Sequence, residues 1–332
     1  MRDNLPKKVE HGGRVRWHRT RERGELLDFS ANVNPYPLEI PWTPDTSALK
    51  DYPDDRYVTL KEVIGRRFGR AAAEVAVGNG SVELIRAFCS AVLGTGDTAY
   101  VESPTFAEYG MAVRLAGARC TADENGAAVR FLCNPNNPTG KLLGRAEVLR
   151  LLDGVARRGA YLFLDEAFIE LSDPTQSVVD VSHENLFLLR SLTKSFAVPG
   201  IRFGYAFGAP ELIEKVETVR LPWTVNAFAE SFAIEAFRHY DLLEESRERI
   251  ARERAWLCSR LDALDLGYAP PSANYILIEV PIEAEALADR LLSRGILVRD
   301  CRSFGLPRHI RVAVRTHEEN RQLIEALEAC LP

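Results

Sequence analysis

Leu186-Phe187-Leu188-Leu189-Arg190-Ser191-Leu192-Thr193-Lys194 places a lysine in a small, hydroxyl-rich turn directly after an apolar run. A short apolar run of this kind reads as a strand of a buried sheet. A lysine at its end is open to desolvation, which lowers its pKa and prepares the amine for a Schiff base. Just downstream, Pro199-Gly200-Ile201-Arg202-Phe203-Gly204-Tyr205 offers a planar guanidinium suited to a phosphate. A lone lysine is usually a solvated surface residue, so its meaning depends on what surrounds this strand.

On both sides, short apolar strands alternate with helical stretches. Strands are expected at 75–77, 98–101, 129–133, 161–164, 186–189 and 203–207. Helices are expected at 59–68, 81–93, 106–115, 145–157 and 210–219. Strands separated by helices imply an α/β fold with a mostly parallel sheet covered on both faces. A long charged helix is expected over 227–264. Strand 275–280, helix 283–293, strand 310–314 and helix 318–329 then make a compact α+β unit.

With 332 residues the chain can bury a large core, and its length suggests about two domains. Hydrophobic residues at 46% and charged residues at 27% are ordinary for a soluble globular protein. A formal charge of −5 leaves no global basic field for nucleic acid, although Arg14, Arg16, Arg19, Arg21 and Arg23 cluster near the start. No apolar run approaches a bilayer span, and the N-terminus lacks an apolar signal core. The expectation is a cytoplasmic protein with neither membrane nor nucleic-acid partner. Six scattered cysteines without a Cys-x-x-Cys pair read as reduced thiols, and no metal is expected.

Two further segments give the lysine its context: Asn134-Pro135-Asn136-Asn137-Pro138-Thr139-Gly140 and Asp165-Glu166-Ala167-Phe168. In this order with Lys194 and Arg202, they resemble the fold-type I pyridoxal-phosphate enzymes, the aspartate aminotransferase superfamily. The resemblance runs from about His11 to Arg315. It implies pyridoxal 5'-phosphate linked to Lys194, and a homodimer with active sites at the subunit interface. It also implies an N-terminal segment (1–45), a large cofactor domain (46–222) and an interdomain helix with a small domain (223–332).

Gly78-Asn79-Gly80-Ser81 follows a strand and opens a helix, whose free N–H groups and dipole favour an anion. The resemblance makes Gly80, Ser81 and Val82, with Ser191 and Arg202, the phosphate cup. Phe106 matches the ring that stacks on the pyridine, with Tyr109 as the alternative. Asn137 matches the residue that binds the phenolic oxygen. Asp165 matches the partner of the pyridine nitrogen, although a strand-end aspartate can also cap the next helix. Tyr52 resembles the tyrosine that reaches the other subunit's cofactor phosphate, and Tyr57 remains open for that role. Arg311 matches the arginine that grips the substrate carboxylate. Phe168 departs from the pattern, because many relatives carry a hydrogen-bonding tyrosine there. The lysine–cofactor linkage is therefore expected to hold its proton to higher pH.

Cofactor motifs do not choose the reaction, since the cofactor is the electron sink and the protein selects the bond that breaks. His11-Gly12-Gly13 followed by Leu27-Asp28-Phe29-Ser30-Ala31-Asn32-Val33-Asn34-Pro35 resembles the L-threonine O-3-phosphate decarboxylases of cobalamin biosynthesis. These form (R)-1-amino-2-propanol O-2-phosphate. The closely related histidinol-phosphate aminotransferases are the alternative. The decarboxylase reading needs a second anion site on a small phosphorylated amino-acid substrate. Its candidates are His11, Asn34 and Arg315, with Ser30 and Arg302 behind them. The stretches 117–129 and 171–179 look short for that family.

Overall fold

The computed structural model describes residues 6–13, 15–19 and 26–331. Residues 1–5 and Arg14, Arg21 and Arg23 of the arginine-rich start lie outside the described residues.

At the centre is a seven-stranded sheet in the order Val75–Gly78, Gly204–Phe207, Leu186–Ser191, Tyr161–Asp165, Val129–Cys133, Thr98–Val101, Arg119–Thr121. Gly204–Phe207 runs antiparallel to both neighbours, and the remaining pairs are parallel. The expected strands occupy these positions to within one or two residues. Strand Leu186–Ser191 is buried along its whole length, as is Gly204–Phe207. Continuous apolar runs are required there because helices cover both faces. Helices Ser81–Val92 and Pro210–Val219 pack on a core with Phe88, Phe163 and Phe187. Val58–Phe68, Arg145–Ala156 and Ala227–Arg238 enclose another core with Leu162, Leu188 and Tyr205.

The long helix expected over 227–264 is broken. Ala227–Arg238 ends at His239, a 3-10 turn spans Tyr240–Leu242, and Leu243–Ala263 resumes. Tyr240 is buried at that turn, its hydroxyl 3.2 Å from that of Tyr205. Tertiary packing thus bends a chain whose local propensity favours continuous helix.

The C-terminal part forms a three-stranded antiparallel sheet from Arg299–Asp300, His309–Ala313 and Tyr275–Glu279. Leu27–Asp28 pairs in parallel with Ile296–Leu297, so the N-terminal segment is attached to this part of the chain. Phe29 is buried in the same core as Ile276, Leu287 and Leu323. No helix of the described residues is long and apolar enough to cross a membrane.

Candidate active site

Three parallel strands end side by side on Cys133, Asp165 and Ser191. The carboxyl ends of such strands are where open α/β sheets place their ligands. A cavity of about 380 Å³ opens there, within the ordinary range for a small-molecule site. Its walls include Ser81, Phe106, Asn137, Asp165, Lys194 and Arg311.

One end of the cavity is built for an anion. Helix Ser81–Val92 begins after Gly80, which has φ +81°. A Cβ at Gly80 would lie 2.4 Å from Arg202 Nη2, and one at Gly204 would lie 2.4 Å from the Ser81 nitrogen. Two glycines therefore let the guanidinium and the helix N-terminus converge. Val82 and Ser191 line the same cavity, and Ser191 caps the short helix that carries Lys194.

Lys194 is partly buried, and its Nζ lies 5.9 Å from the centre of the Phe168 ring. Desolvation, with Arg311 and Arg202 adding like charge, pushes its pKa down to about 8, against the opposing pull of Asp28 and Asp165. Asp165 is 4% exposed, and burial raises its carboxyl pKa to about 6. Its oxygens accept from the Tyr109 hydroxyl at 2.7 Å and the Ala167 amide at 2.9 Å. Tyr109 thus lies beneath the cavity as a donor to Asp165, while Phe106 forms the wall, its ring edge-on to Tyr109.

Arg311 is 6% exposed and has no carboxylate partner among the described residues. It donates through Nη1 to Asn137 Oδ1 and through Nη2 to the Ser30 carbonyl at 3.0 Å. His11 also reaches the cavity. Its Nε2 is 2.8 Å from Glu108 Oε1, and its ring lies 6.0 Å from that of Phe106. Gly12 makes this approach possible, since a Cβ there would lie 2.5 Å from the Ser30 carbonyl oxygen. The Gly13 amide donates to Ser30 Oγ at 2.9 Å.

Several expected residues are placed elsewhere. Arg315 does not line the cavity: it pairs with Glu319 at 2.5 Å and donates to the Asp28 carbonyl. Its position just past strand His309–Ala313 turns it onto the first turn of the last helix, which corrects the expectation that it faces the substrate. Asn34 is buried but spends its side chain on the Ser195 carbonyl and the Tyr36 amide. Arg302 is exposed and paired with Asp300 and Glu285. Tyr52 is 80% exposed, its ring 4.7 Å from that of Trp223 and away from this chain's cavity. Tyr57 is a core residue whose hydroxyl donates to the Val225 carbonyl, so it is not available for a neighbouring subunit.

Sequence reasoning passed over Arg299, which lines the cavity and lies directly across the strand pair from Arg311. It donates to the Glu10 carbonyl and to Ser303 Oγ. Asn32 was also passed over. No cluster of His, Cys, Asp or Glu placed to hold a metal occurs among the described residues.

An anion cup, a reactive lysine, a buried carboxylate and an aromatic wall around one cavity define a site for a phosphorylated aldehyde cofactor. The glycine-lined cup and the desolvated lysine fit the chemistry of such a group. The sequence model of aminotransferase class I and II matches residues 25–122 and 120–327. The chain belongs to that family, and its cofactor is pyridoxal 5'-phosphate. It is 34% identical over 323 residues to histidinol-phosphate aminotransferase 2 of Archaeoglobus fulgidus, covering 91% of this chain and 92% of that one. It is 36% identical over 349 residues to a protein of Caldanaerobacter subterraneus subsp. tengcongensis provisionally named threonine-phosphate decarboxylase, covering 97% and 94%. In fold it is similar to histidinol-phosphate aminotransferase of Sinorhizobium meliloti, solved with pyridoxal-5'-phosphate. That match has a TM-score of 0.85 at 21% identity over 99% and 98% of the two chains.

Phe168 is buried, edge-on to Tyr275, and brings no hydroxyl to the cavity. Phe168→Tyr is expected to lower the pH midpoint of the cofactor's absorbance change by roughly one unit, the size of one added donor to a charged group. A spectral pH titration of both proteins checks this, and coincident midpoints would refute it.

Proposed function

We propose that this enzyme decarboxylates L-threonine O-3-phosphate to (R)-1-amino-2-propanol O-2-phosphate, a step of cobalamin biosynthesis. The observation that carries the reading is the direct opposition of Arg299 and Arg311 across one strand pair, both on the cavity wall. A ligand with two nearby anionic groups suits a cavity wall that carries two guanidiniums. A phosphorylated amino acid brings a carboxylate and a phosphate, whereas histidinol phosphate brings only the phosphate. His11 above Phe106 adds a third polar group on that side.

In this reading Lys194 carries the cofactor and moves the proton at the substrate Cα. Asp165 holds the proton on the pyridine nitrogen, which lets the bound cofactor act as an electron sink. Arg202, Ser81 and Ser191 hold the cofactor phosphate, and Asn137 its phenolic oxygen. Arg311 grips the carboxylate and fixes the direction of the bond to be broken. We also propose the division into 1–45, 46–222 and 223–332, and a homodimer. The exposed Tyr52–Trp223 pair suits Tyr52 for a neighbouring chain's site.

Carbon dioxide release from L-threonine O-3-phosphate by the holoenzyme, with no oxo acid present, tests the reading. The second reading is an aminotransferase for histidinol phosphate, favoured by the 34% identity to the Archaeoglobus fulgidus protein. Glutamate formation from histidinol phosphate and 2-oxoglutarate, without carbon dioxide release, would establish that one instead. Under either reading Arg311→Ala is expected to weaken substrate binding by roughly 2–5 kcal/mol while the cofactor stays bound. Unchanged affinity in a substrate titration would remove Arg311 from the site.

A further inference from the structure

Residues 9–13 all line the cavity, and their main chain is tied down at two points. The Glu10 carbonyl accepts from Arg299 Nη2 at 3.0 Å. The Gly13 amide donates to Ser30 Oγ at 2.9 Å, and that hydroxyl donates to Asp28 Oδ1 at 2.6 Å. A backbone held in this way fixes where the His11 side chain starts. It does not fix where the ring points, which its rotamers still leave open.

The ring is oriented from a different element. Glu108 opens helix Glu108–Leu115 and is 4% exposed, and its Oε1 lies 2.8 Å from His11 Nε2. Its Oε2 lies 3.4 Å from Nη2 of Arg86, on the helix that begins at Ser81. The His11 hydrogen bond is the largest influence on the Glu108 carboxyl and holds it below the usual range, against the cost of burial. Glu108 is therefore ionised at neutral pH although it is nearly out of solvent. A pair between such a carboxylate and a histidine side chain that is 45% exposed adds little to stability. Its effect is geometric. With Nε2 committed to Glu108, the ring stays beside Phe106, 6.0 Å between centres, and Nδ1 has no partner among the described residues. The doubly protonated ring donates from both nitrogens, to Glu108 and to an anion at once.

We propose that Glu108 is a positioning residue for binding of the substrate phosphate. It touches no substrate itself. It orients His11 so that Nδ1 donates to the phosphate of a phosphorylated amine in the cavity. The inference rests on the second anion site of the proposed function and on neither reaction, because L-threonine O-3-phosphate and histidinol phosphate both carry that phosphate.

The test is spectral titration of the holoenzyme with two pairs of ligands. One pair is L-threonine O-3-phosphate and L-threonine, the other histidinol phosphate and histidinol. The proteins are the wild type, Glu108→Ala, Glu108→Gln, His11→Ala and the double alanine variant. Glu108→Ala is expected to bind the phosphorylated ligand roughly tenfold more weakly and the unphosphorylated one unchanged. Glu108→Gln keeps the shape and an acceptor for Nε2, so it is expected to recover most of the loss. It also decides the matter if the alanine variant fails to fold. The double variant is expected to bind no more weakly than His11→Ala, because Glu108 acts through His11. Equal losses on phosphorylated and unphosphorylated ligands overturn the proposal, as does a double variant that shows both single losses added together. Unchanged affinity in Glu108→Ala overturns it as well. If the wild type titrates with histidinol phosphate and not with L-threonine O-3-phosphate, the decarboxylase reading falls and Glu108 is judged on the histidinol pair. If the wild type prefers neither phosphorylated compound to its counterpart, His11 has no phosphate to serve and the proposal falls.

Discussion

Replacing Lys194 with alanine is expected to abolish turnover and the absorbance of the lysine-linked cofactor. Positioned proton transfer alone is worth roughly 10²–10⁴-fold, and the variant loses the covalent attachment as well. Retained lysine-linked absorbance in Lys194→Ala would place the linkage elsewhere. A second consequence concerns the cofactor-free protein. Burial and two arginines hold the Lys194 pKa at about 8, against an ordinary lysine value of 10.5. Below about pH 8 the amine is protonated in both folded and unfolded chains, and the folded state carries the whole penalty. Between 8 and 10.5 the unfolded chain binds more protons, so stability rises with pH. Lys194→Met should therefore stabilise the cofactor-free protein at pH 7 by up to about 3 kcal/mol. The gain should shrink toward pH 10.5. Thermal unfolding of both proteins at pH 7 and pH 10 decides it, and a destabilised Lys194→Met at pH 7 would contradict the desolvation argument.

The sheet was legible because its strands are short apolar runs between turn residues, and burial on both faces demands that pattern. Strands 98–101 and 129–133 fall where the sequence put them. The bend at Tyr240–Leu242 was not legible, because amphipathic helix continues on both sides and only the buried Tyr240 contact breaks it. The two-residue strands Leu27–Asp28, Ile296–Leu297 and Arg299–Asp300 are too short to carry a period. Arg299 escaped for the same reason: its relation to Arg311 is a cross-strand register that no local spacing reveals. The cofactor-side residues were readable because each stands in a local motif. Arg315 shows the converse, since alternation beyond the end of strand His309–Ala313 did not set the direction of its side chain. Behind Asp165, Glu166 forms a buried pair with Arg190 at 2.9 Å and accepts from Ser177 Oγ at 2.6 Å. Arg190 lies just past the strand expected at 186–189, and no local sequence signal marked this pair.

Asp165→Asn is expected to cut turnover by roughly 10²–10³-fold or more, because an amide cannot hold the proton on the pyridine nitrogen. The same change should stabilise the cofactor-free protein. Burial raises the Asp165 pKa from 3.8 to about 6. Below 3.8 the carboxyl is neutral in both states. As pH climbs through 6 the folded state must ionise it too, and the stability present in acid is lost. At pH 7 the buried carboxylate costs about 3 kcal/mol, so Asp165→Asn should melt higher there and lose that advantage near pH 4. Asp165 and Lys194 also support each other, since each charge moves the other's pKa toward its ionised form. Removing one therefore deepens the penalty on the other. The double variant Asp165→Asn/Lys194→Met should gain more stability than the sum of the single gains, a coupling that a thermodynamic cycle at pH 7 measures directly. Strict additivity would mean that the two groups do not share one low-dielectric cavity. A positive coupling would show that the two charges stabilise each other, while the single gains report what each one costs the cofactor-free fold.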